Sequence, residues 1–138
     1  LTIITNAFNV PFIIGGQPGI TTLLTSGEFK APTLSFTGEK AADFFQNVHV
    51  DKLFLATAGI TLRAGLTYPS LSDLPVKRAM IEAATTVYLV ADSSKLGKQA
   101  LASLGALSLV HYLITDRDIS PKYKDEFSKH GIEFIIAE

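Results

Sequence analysis

Apolar and polar positions alternate along this chain in blocks rather than residue by residue. Residues 1–4, 21–25, "KLFLATAGI" from Lys52, "TVYLVAD" from Thr86, "LSLVHYLITD" from Leu107 and "IEFIIAE" from Ile132 are short apolar stretches that close on small or polar residues. Runs of this length rich in β-branched residues read as buried strands. Between them the pattern changes period. Residues 7–14 fit a short helix, with Asn9 and Pro11 against it, and "GGQPG" at 15–19 is a turn. "PTLSFTG" suggests a short strand leading into "GEKAADFFQNV", where Ala41, Phe44, Phe45 and Val48 recur at helical spacing.

Gly59 and Gly65 bracket an expected loop that runs through Thr67. A helix is predicted over 73–85. Ser72 or Asp73 can cap it, Pro75 sits in its first turn, and Val76, Ala79, Met80, Ala83 and Ala84 make one apolar face. Residues 121–130 form a polar helix that Gly131 stops. Strands that are apolar throughout, alternating with helices, predict an α/β domain with a mostly parallel sheet and helices on both faces.

Composition bounds this picture. One domain suits 138 residues, of which 47% are apolar and 18% charged. A net charge of −1 supplies no phosphate-neutralising surface, so contact with nucleic acid would need another part of the protein. The absence of cysteine excludes a disulfide scaffold and a thiolate metal site, and no apolar run approaches the length of a membrane span. Leu1 opens an apolar run with no polar lead-in, which leads us to expect a segment of a longer chain.

The chemistry gathers where the strands end. In an open parallel sheet the strand C-termini share one edge, and ligands bind in the crevice outside it. Here those ends read Thr5-Asn6, Ser26-Gly27-Glu28, Ala58-Gly59, Asp92-Ser93-Ser94-Lys95 and Thr115-Asp116. Such a set can hydrogen-bond sugar hydroxyls and hold a phosphate through lysine and backbone N–H groups. Lys77 adds to it, because a cation in the first turn of a helix opposes the helix dipole and invites a compensating anion. Other chemistries lack their residues. His49, His111 and His130 have no metal-ligand spacing, neither glycine cluster matches a nucleotide loop, and no serine stands in a nucleophile elbow.

The ordered motifs "TN" (5–6), "SGE" (26–28), "FTGEKA" (36–41), "VDKLFLATAGI" (50–60), "GLT" (65–67), "VKRAMIEAA" (76–84), "ADSSKLGKQAL" (91–101) and "LITD" (113–116) resemble the C-terminal effector-sensing domain of DeoR-family transcriptional regulators. The resemblance spans nearly the whole chain. It implies the fold shared by ribose-5-phosphate isomerase, glucosamine-6-phosphate deaminase and the CoA transferases. It also implies an upstream winged helix-turn-helix and an upstream Gly-x-Thr-Thr phosphate loop, so that residues 1–138 would be the effector-binding domain alone.

A sugar-phosphate isomerase or deaminase is the rival reading of that fold. Lys77 stands where the isomerase carries its catalytic glutamate, and residues 57–60 hold no carboxylate, so a positioned base is missing. In the family the loop after "AGI" often carries an aspartate, and here the next residue is Thr61.

The expectation is therefore a cytoplasmic sensor rather than an enzyme, most simply a repressor of sugar metabolism, that binds a sugar phosphate effector and no cofactor, metal or membrane. Lys95 and Lys77 would contact phosphate, and Asn6, Glu28 and Asp92 the sugar or the lysines. Gly27, Gly38 and Gly59 would let the ligand approach the backbone. Operator DNA would be read through the upstream domain, and a homo-oligomer is expected because helix-turn-helix proteins read two-fold symmetric sites.

Overall fold

A computed structural model describes residues 1–137. In chain order its elements are β1 (Thr2–Thr5), α1 (Asn9–Ile14), β2 (Thr21–Leu24), β3 (Glu28–Lys30), β4 (Ser35–Thr37), α2 (Glu39–Asp43), β5 (Val50–Ala56), β6 (Gly59–Thr61) and β7 (Gly65–Tyr68). There follow α3 (Leu74–Ala83), β8 (Ala84–Val90), β9 (Ala102–Gly105), β10 (Tyr112–Thr115), α4 (Pro121–Lys129) and β11 (Glu133–Ile136). Glu138, the last residue of the expected final strand, lies outside the described residues.

The α/β architecture is the one the apolar runs predict. Four parallel strands form the main sheet in the order β11-β10-β8-β5. Alternation along these strands sends Leu55, Val87, Leu89 and Leu113 into the core, each at most 1% exposed. They meet Leu74 at the start of α3, Phe127 from α4, and Ile60, Leu66 and Leu104 from a second sheet. The opposite face carries Phe54, Tyr88 and Tyr112, which are cross-strand partners stacked at 5.2 and 4.8 Å. Phe54 is 62% exposed there, and Val90 and Ile135 are also exposed.

The expected loop over 59–67 is instead a hairpin. β6 and β7 pair antiparallel, and β9 adds to β7 with a register shift at Leu66/Thr67. Gly65 permits the close approach, since its φ is +68° and a Cβ there would collide with the backbone carbonyl of Gly105. The third strand lies more than thirty residues downstream, so no local periodicity announces the sheet.

β1 and β2 form a separate parallel pair, and β3 and β4 a short antiparallel hairpin. Among the described residues no ladder joins β1 to β5. Yet Ile4 of β1 and Leu53 of β5 both pack against the cluster of Ala41, Phe45, Val76, Met80 and Ala83 supplied by α2, α3 and the turn between α2 and β5. The strand ends thus belong to two ladders set on one helical layer.

The predicted helices are present with shorter bounds. α2 stops at Asp43, and the chain continues in tight turns through Phe45 N–H to Ala42 O, Gln46 N–H to Asp43 O and Val48 N–H to Phe45 O. α3 follows a 3-10 turn over Leu71–Asp73 whose cap is Ser70, accepting from Ser72 N–H. Asp73, one of the two expected caps, stands at the N-cap position of α3, but its side chain makes no capping bond and instead meets Lys30. Pro75 sits in the first turn as expected. Gly131 at φ +73° follows α4.

Candidate functional site

The residues singled out from the sequence fall into two groups. Around the ends of β8 and β10, Asp92 accepts from Ser94 N–H at 2.9 Å, closing the tight turn Ser93–Lys95. Asp116, just past β10, accepts from Ser93 N–H at 2.7 Å and from Asp118 N–H at 2.9 Å. These bonds favour the ionised carboxylates. The Ser94 bond first, then the Lys95 charge, holds Asp92 below its ordinary value, and the Ser93 bond does so for Asp116. Lys95 closes this turn half-exposed.

Gly59 adjoins the same turn. Leu96 bridges Ile60, and Gly97 N–H donates to Ile60 O at 2.8 Å. A Cβ on Gly59 would sit 2.4 Å from the Lys98 carbonyl oxygen, so the glycine admits protein backbone at that point. Its own carbonyl accepts from the hydroxyls of Thr57 and Thr67 at 3.1 and 3.0 Å. Thr67, buried in β7, also accepts from Ala100 N–H at 2.9 Å. It thereby ties β6 to the segment after Lys95, a role the sequence reading missed by treating the segment as loop.

The second group surrounds the start of α3. The buried Asn6 side chain donates to Phe36 O at 2.9 Å and the Asn6 backbone carbonyl accepts from Phe36 N–H, joining β1 to β4. A Cβ on Gly27 would meet Thr37 O at 2.7 Å and Ala41, so this glycine too is filled by protein. Gly38 is different. It precedes α2 at φ +85° with nothing within 4 Å of a notional Cβ, and its N–H donates to Ser72 O. Glu28 begins β3 and is exposed.

Beside these, Lys30 of β3 bonds Asp73 at 3.0 Å. Lys77, one helical turn past Asp73, lies half-buried with its ammonium 5.9 Å from the centre of the Tyr68 ring. Burial pushes the Lys77 pKa down, and the Asp73 charge opposes that. Among the described residues its ammonium has no hydrogen-bond partner. The Tyr68 hydroxyl donates to Ala56 O at 2.6 Å, at the end of β5, and burial raises its pKa beyond the usual phenol range.

Lys77 and Lys95 are therefore not in one contact. Lys77 adjoins the Tyr68 ring, whereas Lys95 lies in the turn after β8. Beyond Thr115, already named as a strand end, three further groups escaped the sequence reading. The hydroxyls of Thr22, Thr25, Thr37 and Thr115 are buried without a partner among the described residues; Thr22 lies within β2, and the other three lie at or just past the end of β2, β4 or β10. Orphan buried hydroxyls are uncommon, and a polar ligand or ordered water would satisfy them. Runs of threonine after apolar strands were the available signal.

Two shallow, open depressions lie elsewhere, each of about 330 Å³. One is at the opposite edge of the main sheet beside Thr86, His111, His130 and Glu133, and the other lies between α2 and α3 beside Glu39, Asp43, Arg78 and Glu82. In the first, His111 Nδ1 accepts from Val87 N–H at 2.9 Å, a packing role for that histidine. Among the described residues no group of three or more histidine or carboxylate side chains is placed to hold a metal, and no helix is long and apolar enough to cross a membrane.

Comparison with known proteins adds to this geometry. The family described as "DeoR C terminal sensor domain" matches residues 1–117. Over 137 residues the chain is 31% identical to the HTH-type transcriptional repressor GlcR of Bacillus subtilis, covering 99% of this chain and 53% of that protein. It is 28% identical over 137 residues to the HTH-type transcriptional regulator IolR of the same organism, covering 99% and 55%. Against the L-fucose operon activator of Haemophilus influenzae it is 26% identical over 136 residues, covering 98% and 54%. The chain thus spans about half the length of the curated relatives it matches, and these relatives are transcriptional regulators, not enzymes.

Proposed function

The chain belongs to the DeoR C-terminal sensor domain family, and on that premise we propose that it binds a phosphorylated sugar or sugar-derived intermediate at the strand C-terminal edge and passes its occupancy to a DNA reader elsewhere in the protein. The observation that carries the reading is Lys77, an ammonium at the start of α3 with no hydrogen-bond partner of its own among the described residues. A phosphate supplies what it lacks. Lys95, in the turn after β8, is the second cation. Asp92 orders that turn through Ser94, the exposed Glu28 is available to the sugar, Asn6 acts behind the site by joining β1 to β4, and Gly38 leaves open space for the ligand. Gly27 and Gly59 act by letting backbone segments meet behind it.

GlcR is a transcriptional repressor, and the Haemophilus influenzae relative is an activator of an L-fucose operon. We assign this chain to a cytoplasmic repressor that works as a homo-oligomer, since a helix-turn-helix reader needs a two-fold partner. The remainder of the protein would supply the winged helix-turn-helix, and with it a phosphate-loop strand and helix. That strand would sit between the unpaired edges of β1 and β5, and the helix on the Phe54 face.

A thermal-shift screen of the full-length protein against sugar phosphates and free sugars tests this, because a ligand selective for the native state raises apparent stability. The expected result is a shift with one sugar phosphate, absent in Lys95→Ala and without turnover of the compound. No shift with any sugar phosphate overturns the reading.

A further inference from the structure

Asp73, at the start of α3, bonds one lysine and lies one helical turn before another. Lys30 reaches Asp73 from β3 at 3.0 Å, and the two side chains are 22% and 16% exposed, so the pair is shielded from most solvent screening. Lys77 stands in the first turn of α3, four residues after the N-cap Asp73. Its charge feels Asp73, yet among the described residues no bond forms between them: Lys30 takes the carboxylate at Oδ1 alone. The ammonium of Lys77 rests on the Tyr68 ring instead.

We infer that Lys30, on the β3–β4 hairpin and not itself a ligand contact, sets how readily Lys77 takes an anion, by offsetting the Asp73 charge beside it. Lys30 is thus a positioning residue for the effector site. With Lys30 present, the Asp73 charge is offset through Oδ1, and an anion at Lys77 meets less repulsion. With Lys30 removed, that carboxylate is no longer offset, and the anion meets more. Reciprocity of coupled sites gives the converse: an anion on Lys77 leaves Asp73 wholly to Lys30 and tightens the hairpin against α3. The β3–β4 hairpin, which also carries Phe29 and Phe36 against Phe8, is therefore the element whose docking responds to occupancy.

That Lys77 meets the effector phosphate rests on the function proposed above; the charge coupling does not. Both are read in one experiment. Full-length protein with ¹³C-methylated lysines is titrated by NMR as wild type, Lys30→Met, Asp73→Asn and the double variant, and each is then titrated with inorganic phosphate. In Lys30→Met the Lys77 titration moves to higher pH and phosphate binds roughly two- to fivefold more weakly. Asp73→Asn moves the titration to lower pH and tightens phosphate by a similar factor. The double variant follows Asp73→Asn, because Lys30 acts through that carboxylate.

Both substitutions remove charge with little change of shape, and the opposite signs separate this coupling from a loss of fold. A Lys77 titration that stays put in Asp73→Asn, or moves the same way in both single variants, overturns the inference. Expected titration shifts with no phosphate binding to the wild type would instead overturn the effector reading and leave the coupling supported.

Discussion

Thr67 is a residue whose importance depends on where the chain brings its neighbours. It lies 1% exposed in β7, donates to Gly59 O and accepts from Ala100 N–H, so it bonds two segments that are remote in sequence. Thr67→Val keeps the shape and removes both bonds. Gly59 O retains the Thr57 hydroxyl, whereas Ala100 N–H loses the acceptor it has here. We expect a loss of about 1–3 kcal/mol in denaturant unfolding, the cost of stranding a largely buried polar group. In the sequence this threonine is one polar letter in an expected loop. Lys77 was legible, because a lysine in a first helical turn contradicts the helix dipole. The engagement of Asp73 by Lys30 was not, since forty-three residues separate the pair.

At the scale of an element, the turn after β8 is held by two carboxylates that accept backbone N–H groups. Asp92 and Asp116 both have pKa values below their ordinary 3.8 in the folded chain. A depressed carboxylate stabilises the fold at pH above its unfolded value, and that contribution is lost as pH falls through the lower folded value. The Ser93 and Ser94 amide resonances are therefore expected to hold steady between about pH 7 and 5 and to move together below about pH 4. Asp116→Asn should shift the Ser93 resonance at neutral pH and leave Ser94 near its place. The motif "ADSSK" identified this turn in the sequence, since acids and serines after a strand bond their own backbone. Its anchoring to Asp116 follows from the parallel pairing of β8 with β10.

For the whole molecule, the uncovered Phe54–Tyr88–Tyr112 face is the largest departure from a closed α/β layer. A stacked aromatic row with a 62% exposed phenylalanine at its edge is costly to leave in water. We propose that a helix from elsewhere in the full-length protein covers it. A cysteine placed by Phe54→Cys is expected to react quickly with a thiol reagent when residues 1–138 are expressed alone, and at least about tenfold more slowly in the full-length protein. Equal rates would show that this face stays open and that the proposed helix packs elsewhere.

The sequence by itself determined the α/β class, a parallel strand within each of "KLFLATAGI", "TVYLVAD" and "LSLVHYLITD", the helix with Pro75 in its first turn, and the strand ends as the place to look for chemistry. Those features rest on local period and local turn chemistry, which a single chain displays in full. Tertiary structure decided the antiparallel β6-β7-β9 layer, the separation of β1 and β2 from the main sheet, and the two groups into which the candidate residues fall. It also decided that the Asp73 side chain answers to Lys30 rather than making a capping bond to α3. Each of these depends on which distant segment arrives to accept a hydrogen bond, share a charge or fill a face, and no window of neighbouring residues carries that information.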